Sequence, residues 1–519
     1  MSVHAQEKIS AIRTSRIEVT ERLDAQITPK MQAVLAPYKA GVDSLMAPVL
    51  GESRVGMGSG RPESLLGNWA ADAMVWATHA TDSLPPADFG LMNVGGLRNN
   101  MPRGTVRRGD ILLISPFVNR LTVVELTGDV VLELMENIAN VGGEAVSHEV
   151  KLEISKDGKL KSATIGGEPI DPNRTYRLAT IDYLAEGNDK MVALKMATKK
   201  HITDLLASDV MMNRVKTQGI IDAELEGRIV VIEIKMPMKP FLSTLVCFFL
   251  LSPTGTFAQT SITLLHTSDT HSCIEPISKN DLNPDQAGKA GYLRRAALAD
   301  SLRRDTPELL LLDCGDFSQG SAYYTLYKGE VEVKLMNLMG YDACTIGNHE
   351  FDNGLENMAR LFRLAQFPIV CCNYDFTGTP VNGLVKPYTI VERGGKRIGI
   401  LGVSPKLEGL VAQSTRGNTR YIDPAEAAQP VINRLRNEEK CDLVVCLSHL
   451  GYLDGPEGDA AFIQKTRGID VVLGGHSHSY FTQVKYLPNA DGRLIPLDHQ
   501  GKNARFIGKI VVEYRQDFH

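Results

Sequence analysis

Seven side chains in the second half of the chain have the types and spacing to hold metal ions: Asp269, His271, Asp316, Asn348, His449, His476 and His478. They sit at the ends of five short apolar runs. The runs read Ile262-Thr-Leu-Leu-His-Thr-Ser-Asp-Thr-His271, Leu309-Leu-Leu-Leu-Asp-Cys-Gly-Asp316, Asp342-Ala-Cys-Thr-Ile-Gly-Asn-His-Glu350, Leu443-Val-Val-Cys-Leu-Ser-His449 and Val471-Val-Leu-Gly-Gly-His-Ser-His478. Oxygen and imidazole donors without thiolate suit zinc, manganese, cobalt or iron better than copper(I) or an iron–sulfur cluster. Seven donors exceed one tetrahedral ion and are enough for two divalent ions about 3.5–4 Å apart, sharing a carboxylate. Asp316 is the choice for that bridge. Two dications against two aspartates leave positive charge that a phosphate dianion complements, and coordination lowers the pKa of water toward ~7. A lone Asp-x-His arises by chance. Gly-Asn-His-Glu and Gly-Gly-His-Ser-His crowd glycine and donor types where an ordinary loop needs neither.

Apolar runs of this length, separated by helical patterns, read as buried strands of a layered α/β domain. Ligands in such sheets collect beyond the carboxyl ends of the strands. The five runs are therefore expected to converge on one rim.

The chain has 519 residues, enough for more than one domain with its own core. Its formal charge of −5, with Lys and Arg scattered, excludes an extended nucleic-acid surface. All eight cysteines lie at Cys247 or later. No CxxC spacing occurs, which argues against a zinc ribbon or a thioredoxin-like site. Cysteines inside apolar strands, such as Cys314, Cys344 and Cys446, read as small buried hydrophobes.

Residues 1 to about 50 read as helical, with Met31, Val34, Leu35, Tyr38, Val42 and Leu45 forming one stripe that packs onto the following domain. Asp88–Arg98 reads as a strand emptying into a glycine turn, where backbone amides can approach a ligand and Arg98 can pair with phosphate. A hairpin spans residues 150–165 around Lys156-Asp-Gly158, and a helix runs from about Gly128 to Asn140. Phe117 and Tyr183 both stand just past strand-like segments. Lys235–Ala258 has a basic start, a short apolar run and a small residue before Gln259, the layout of a secretory signal peptide. It is too short and too broken by Pro253 and Gly255 for a membrane span. Its internal position, with the cysteine asymmetry at the same boundary, points to two adjacent reading frames joined in one chain. The competing reading is a hydrophobic linker helix between domains.

Residues 260–519 resemble the metallophosphoesterase domain of the bacterial 5′-nucleotidase family, which includes UDP-sugar hydrolases and 2′,3′-cyclic-nucleotide phosphodiesterases. The resemblance rests on Asp269-x-His271, Gly315-Asp316, Gly347-Asn348-His349-Glu350, His449 and Gly475-His476-x-His478. It implies a four-layer sandwich, helices outside two β-sheets, preceded by a separate mixed α/β substrate-binding domain. It also implies that Asp269, His271 and His478 hold one metal, that Asn348, His449 and His476 hold the other, and that Asp316 is shared. Many members carry Gln or Asn where His478 stands. His349 with Asp352 resembles the family's catalytic dyad, in which the carboxylate fixes the imidazole tautomer and favours its protonated form. Residues 30–235 resemble the family's substrate domain through Asn93-Val-Gly-Gly-Leu-Arg98, Ser115-Pro-Phe117 and Asp182–Asp189. The resemblance implies that Phe117 and Tyr183 sandwich a nucleobase, that Arg98 contacts phosphate, and that Asn93 and Asp189 hold base or ribose. Val94 departs from the family's glycine, and Arg61 lies one residue from the family's arginine.

The expected layout is an N-terminal helical segment (1–29), a nucleotide-binding domain (30–235), a signal-like linker (236–259) and a metallophosphoesterase domain (260–519). This order is the reverse of the family's. The expected function is hydrolysis of nucleoside 5′-monophosphates with two divalent ions, in the periplasm or secreted. The partner is a small nucleotide, not nucleic acid or a membrane, and the two halves associate non-covalently if the internal signal is cut. Alternatives are a cyclic-nucleotide phosphodiesterase or nucleotide-sugar pyrophosphohydrolase, a nucleotide-binding surface protein with a silent metal site, and a misordered fusion that works poorly.

Overall fold

The computed structural model describes residues 6–81, 83–232, 260–453 and 455–517. The signal-like segment 236–259 lies outside the described residues. Among the described residues no helix is long and apolar enough to cross a membrane.

The C-terminal half is built on two sheets. The first runs in the order Gln6–Glu18, Phe506–Asp517, Ser261–Thr267, Leu310–Asp313, Ala343–Cys344, Ile369–Val370 and Val385–Lys386. The second runs Tyr388–Arg393, Lys396–Val403, Leu443–Ser448, Val471–Gly474, Leu494–His499 and Lys485–Pro488. Because successive strand side chains face opposite ways, each all-apolar run feeds two cores. Leu264, Leu310, Leu312, Val445 and Leu447 enter the layer between the sheets. Leu265, Leu309 and Leu311 face the outer helices of the first sheet, and Val444 and Cys446 face those of the second. This produces four layers: helices, sheet, sheet, helices. Each fully buried leucine is worth roughly 2 kcal/mol of transfer free energy.

Within the N-terminal half, residues 57–229 share a single core. Its five-stranded sheet is ordered Lys199–Leu206, Arg120–Thr127, Thr175–Ile181, Phe89–Met92 and Ala145–Val146. Helices Leu65–His79, Gly128–Asn140 and Ala207–Gln218 accompany it. The expected hairpin forms from Val150–Ser155 and Leu160–Ile165.

Three expectations need correction. Residues 6–18 are a strand, not a helix, paired antiparallel with Phe506–Asp517. Ile9, Ile12, Thr14 and Ile17 are β-branched, and an edge of the first sheet is open to them. The stripe on helix Pro29–Met46 does form, but Met31, Leu35 and Val42 are buried in the outer core of the C-terminal half rather than in the domain that follows. The run before Phe117 is a helix, Arg108–Ile114, begun by the Arg107 amide donating to Asp110 Oδ2 at 2.7 Å. That cap satisfies a donor at the helix start and overrides the β-like composition.

Candidate metal and nucleotide site

Six of the seven candidate ligands converge at the carboxyl ends of parallel strands from both sheets, and Asn348 directly precedes His349 beside them. Asp269, His271, Asp316 and Asn348 follow strands of the first sheet, and His449, His476 and His478 follow strands of the second. Donor atoms of Asp269, His271 and His478 lie within 4.8 Å of one another, as do those of Asp316, His449 and His476. Asp316 also falls within that distance of His271 and His349, so it stands between the two groups.

The backbone that presents these groups is strained. Asp269, His271, Asp316, His476 and His478 have φ of 49°, 44°, 55°, 72° and 52°. Left-handed backbone at non-glycine residues costs of order 1 kcal/mol or more each and persists where surrounding structure enforces it, commonly at functional sites. Here the enforcement is visible. The Asp269 amide donates to the Gly315 carbonyl at 3.0 Å, the His271 amide to the Asp316 carbonyl at 3.0 Å, and the His476 amide to Asp269 Oδ1 at 2.9 Å. Gly347 explains its motif sterically, because a Cβ there would lie 2.1 Å from Asp316 Oδ1.

Glu350 is the support that the motif contained and the sequence reading left without a role. Its buried carboxylate accepts the amides of Gly347 (2.6 Å), Asp316 (3.0 Å) and Ser318 (3.1 Å), locking two ligand loops together. Burial and the neighbouring Asp316 charge push its carboxyl up to about 7. Asp313 does the same one turn earlier, accepting the Thr267 hydroxyl at 2.6 Å and the Gly315 amide at 2.9 Å.

The residues fit divalent ions on grounds of their own. His449 donates through Nδ1 to the Cys314 carbonyl at 2.6 Å, which turns Nε2 toward Asp316 Oδ2, 3.1 Å away. That Nε2, Asn348 Oδ1 and His271 Nδ1 are buried without hydrogen-bond partners among the described residues. Burial lowers the proton affinity of His449, but Asp316 and Asp269 outweigh it and raise the imidazole above its ordinary value. Two carboxylates thus demand positive charge at this point. Asp316 itself is held well below the usual range: burial opposes this, and His449, His349 and His271 overrule it. Burial, with Arg98 and His478 nearby, keeps His271 well below its ordinary value; burial and His449 bring His476 down to about 3. Neutral imidazoles with free lone pairs facing carboxylates are a ligand set.

His349 lies beside this cluster. Its amide donates to Asp316 Oδ1 at 2.9 Å, and its Nδ1 is 2.9 Å from Asp352 Oδ2. Burial lowers its proton affinity, yet Asp352 and Asp316 raise it further, so the net shift is upward.

The N-terminal half reaches into the same place. Arg98 Nη2 is 3.1 Å from His271 Nε2, and the Phe117 ring lies 5.8 Å from that of His349 at 34°. Tyr183 donates to Asp189 Oδ1 at 2.9 Å, and Asn93 Nδ2 donates to Asp189 Oδ2 at 2.6 Å. The Tyr183 hydroxyl is also 3.5 Å from the Leu410 carbonyl of the other half. Val94 is accommodated because its side chain packs against the domain core and its amide donates to Glu144. Arg61 pairs with that same Glu144 and donates to the Gly143 carbonyl at 2.7 Å, so it steadies the turn that carries Arg98. Lys502 was not foreseen; burial and the nearby Arg98 push its ammonium down to about 8. Nothing in its local sequence marks it.

The fold and this donor set resemble those of metal-dependent phosphoester hydrolases. Residues 262–480 match the calcineurin-like phosphoesterase family, and residues 49–196 match the 5′-nucleotidase C-terminal domain. The C-terminal-domain match therefore precedes the phosphoesterase match along this chain. It is 33% identical over 272 residues to a 5′-nucleotidase of Bos taurus, covering 49% of this chain and 46% of that protein. It is 28% identical over 287 residues to the trifunctional nucleotide phosphoesterase protein YfkN of Bacillus subtilis, covering 49% and 18%. A solved 5′-nucleotidase precursor from Thermus thermophilus aligns with 28% identity and a TM-score of 0.43, covering 49% of this chain and 53% of that one. The chain thus spans about half the length of the 5′-nucleotidase relatives it matches.

Proposed function

We propose that this protein hydrolyses nucleoside 5′-monophosphates to nucleoside and phosphate, with two divalent ions held by Asp269, His271, His478, Asp316, Asn348, His449 and His476. The observation that carries this reading is the shared cleft: Arg98 and Phe117 of one half stand directly over His271 and His349 of the other. A binder of metal alone has no use for an arginine and an aromatic ring there. Divalent ions bound here would supply a hydroxide at neutral pH and neutralise charge on the phosphoryl oxygens.

The rest falls to side chains of the chain itself. Arg98 presents a guanidinium to the phosphate, a planar donor suited to paired oxygens. His349, kept protonated by Asp352, faces charge developing on the phosphoryl group or the leaving oxygen. Asp352 fixes the tautomer by accepting from Nδ1, which directs Nε2–H into the cleft. Phe117 and Tyr183 hold the base, a contact worth about 1–3 kcal/mol per stacked face. Asp189, already held by Asn93 and Tyr183, orients base or ribose. The signal-like layout of residues 235–258 supports a periplasmic or secreted location, and cutting there would leave two associated polypeptides.

The test is phosphate release from AMP, UDP-glucose and 2′,3′-cyclic AMP, each with and without chelator. Chelator-sensitive release from AMP above the other two is expected. Preference for either of the others moves the assignment to a pyrophosphohydrolase or a cyclic phosphodiesterase. No release from any of them rejects the hydrolase reading.

A further inference from the structure

By its packing, the segment Gln6–Met46 belongs to the half of the chain on the far side of residues 233–259. Its strand adds antiparallel to Phe506–Asp517 in register from Gln6 to Glu18, with one irregularity between Ile9 and Ala11. The ladder continues past the strand end. The Val19 amide donates to the Arg505 carbonyl at 2.8 Å, and the Val19 carbonyl accepts from the Ala290 amide at 2.8 Å. Asp24 then receives both Nε and Nη2 of Arg294, at 2.6 and 2.9 Å, and Arg294 is 5% exposed. Helix Pro29–Met46 follows, with Met31, Leu35 and Val42 in the same core as Leu311, Phe317 and Val331. Tyr38 donates to Glu330 at 3.0 Å.

One contact goes deeper than docking. Arg16 pairs with Asp498, which is fully buried and also faces His266 Nε2 at 3.1 Å and Gln500 Nε2 at 2.6 Å. Without Arg16, that carboxylate keeps an amide and an imidazole as its partners among the described residues, and an unpaired buried charge is strongly destabilising. Gln500 opens the loop in which the Asn503 amide donates to the Asp269 carbonyl at 2.7 Å. The N-terminal strand therefore completes the structure beneath a candidate ligand.

We propose that Gln6–Met46 is a clasp through which residues 1–232 bind residues 260–519 as a separate partner. The two halves then stay paired when the peptide chain between them is cut. This gives a surface to the two-polypeptide reading above and names its occupant: the strand edge of Phe506–Asp517, the Arg294 pocket and the buried Asp498.

The experiment uses the full chain with a Gly/Ser segment carrying a site-specific protease sequence inserted after residue 245. The folded protein is cut to completion, judged on a denaturing gel, and passed over a native sizing column at low micromolar concentration. The expected result is two bands on the gel and one native peak at the mass of the uncut chain. Asp24→Arg in the cut protein should weaken the pair at least about tenfold, and adding Arg294→Asp should restore it by reversing the charges. Cut parent protein that elutes as two separate peaks overturns the proposal. So does an Asp24→Arg variant that holds together as tightly as the parent. Mass is the readout, so failure here is distinguishable from failure of the nucleotidase reading, which the phosphate assay tests.

Discussion

His271 and His478 meet nitrogen to nitrogen, Nε2 to Nε2 at 2.8 Å, although the chain brings them from strands of different sheets. Arg98 Nη2 faces the same His271 nitrogen at 3.1 Å. A guanidinium can only donate. His271 Nε2 must then accept, while the two imidazoles are both held neutral by burial and by positive neighbours. Lone pairs converging beside Asp269 form a place for a cation.

Divalent ions are therefore expected to stabilise the fold. Ligand present at 100 times its dissociation constant adds about 2.7 kcal/mol, which raises the melting temperature of a domain of this size by several degrees. Thermal unfolding of chelated protein, with and without added zinc, manganese or cobalt, measures the shift. His271→Ala should abolish most of it, whereas His478→Gln should retain part, because an amide oxygen can still ligate. A melting temperature indifferent to every ion would sink the metal assignment.

The dyad predicts a pH signature. Asp352 raises the proton affinity of His349, so activity that needs the imidazolium is full at low pH and falls as pH rises through the folded pKa. Asp352→Asn should move this alkaline limb to lower pH and reduce kcat, while His349→Ala should remove the limb and cost about 10²–10⁴ in kcat. The check is kcat against pH for the three proteins. An unmoved alkaline limb in the Asp352 variant assigns that limb to another group.

The strand tips were legible because three demands coincide there: an apolar run buried on both faces, a small residue for the turn, and donor side chains immediately after. Gly347 and Gly315 reveal the turn chemistry in the sequence itself. The strand Gln6–Glu18 was not legible, because its partner lies some 500 positions away and its alternation is broken near Ile9. Local periodicity contains no record of such a pairing. Arg61 and Glu350 were hard to place for a related reason. Each acts by holding another residue's backbone, Arg61 through Glu144 and Glu350 through three amides, and that role has no fixed spacing.

Phe117 and Tyr183 are expected to govern affinity for the base rather than the chemistry. Replacing either with Ala should raise KM for AMP about tenfold and leave turnover of a small aryl phosphate nearly unchanged. Steady-state kinetics on both substrates make the comparison. Equal losses on the two would mean that the rings serve packing, since Phe117 also lies against His349.

Glu332 gives a stability prediction separate from turnover. Its carboxyl is fully buried below the loop that carries His271, where one oxygen accepts from the Ser272 hydroxyl and the other has no partner among the described residues. Burial pushes it from an ordinary 4.5 up to about 7. Because the folded pKa lies above the unfolded one, the stability carried by the protonated carboxyl is complete below about pH 4.5 and is lost as pH rises toward 7. The loss is about 3 kcal/mol at most, taking 1.36 kcal/mol per unit. Glu332→Gln keeps the shape and has no proton to lose, so its melting temperature should gain on the parent's between pH 5 and pH 8. Asp313, pushed up to about 6, titrates in the same window in both proteins and cancels in the comparison. A parent-minus-variant difference that stays flat across this range would show that Glu332 is not buried as a neutral acid.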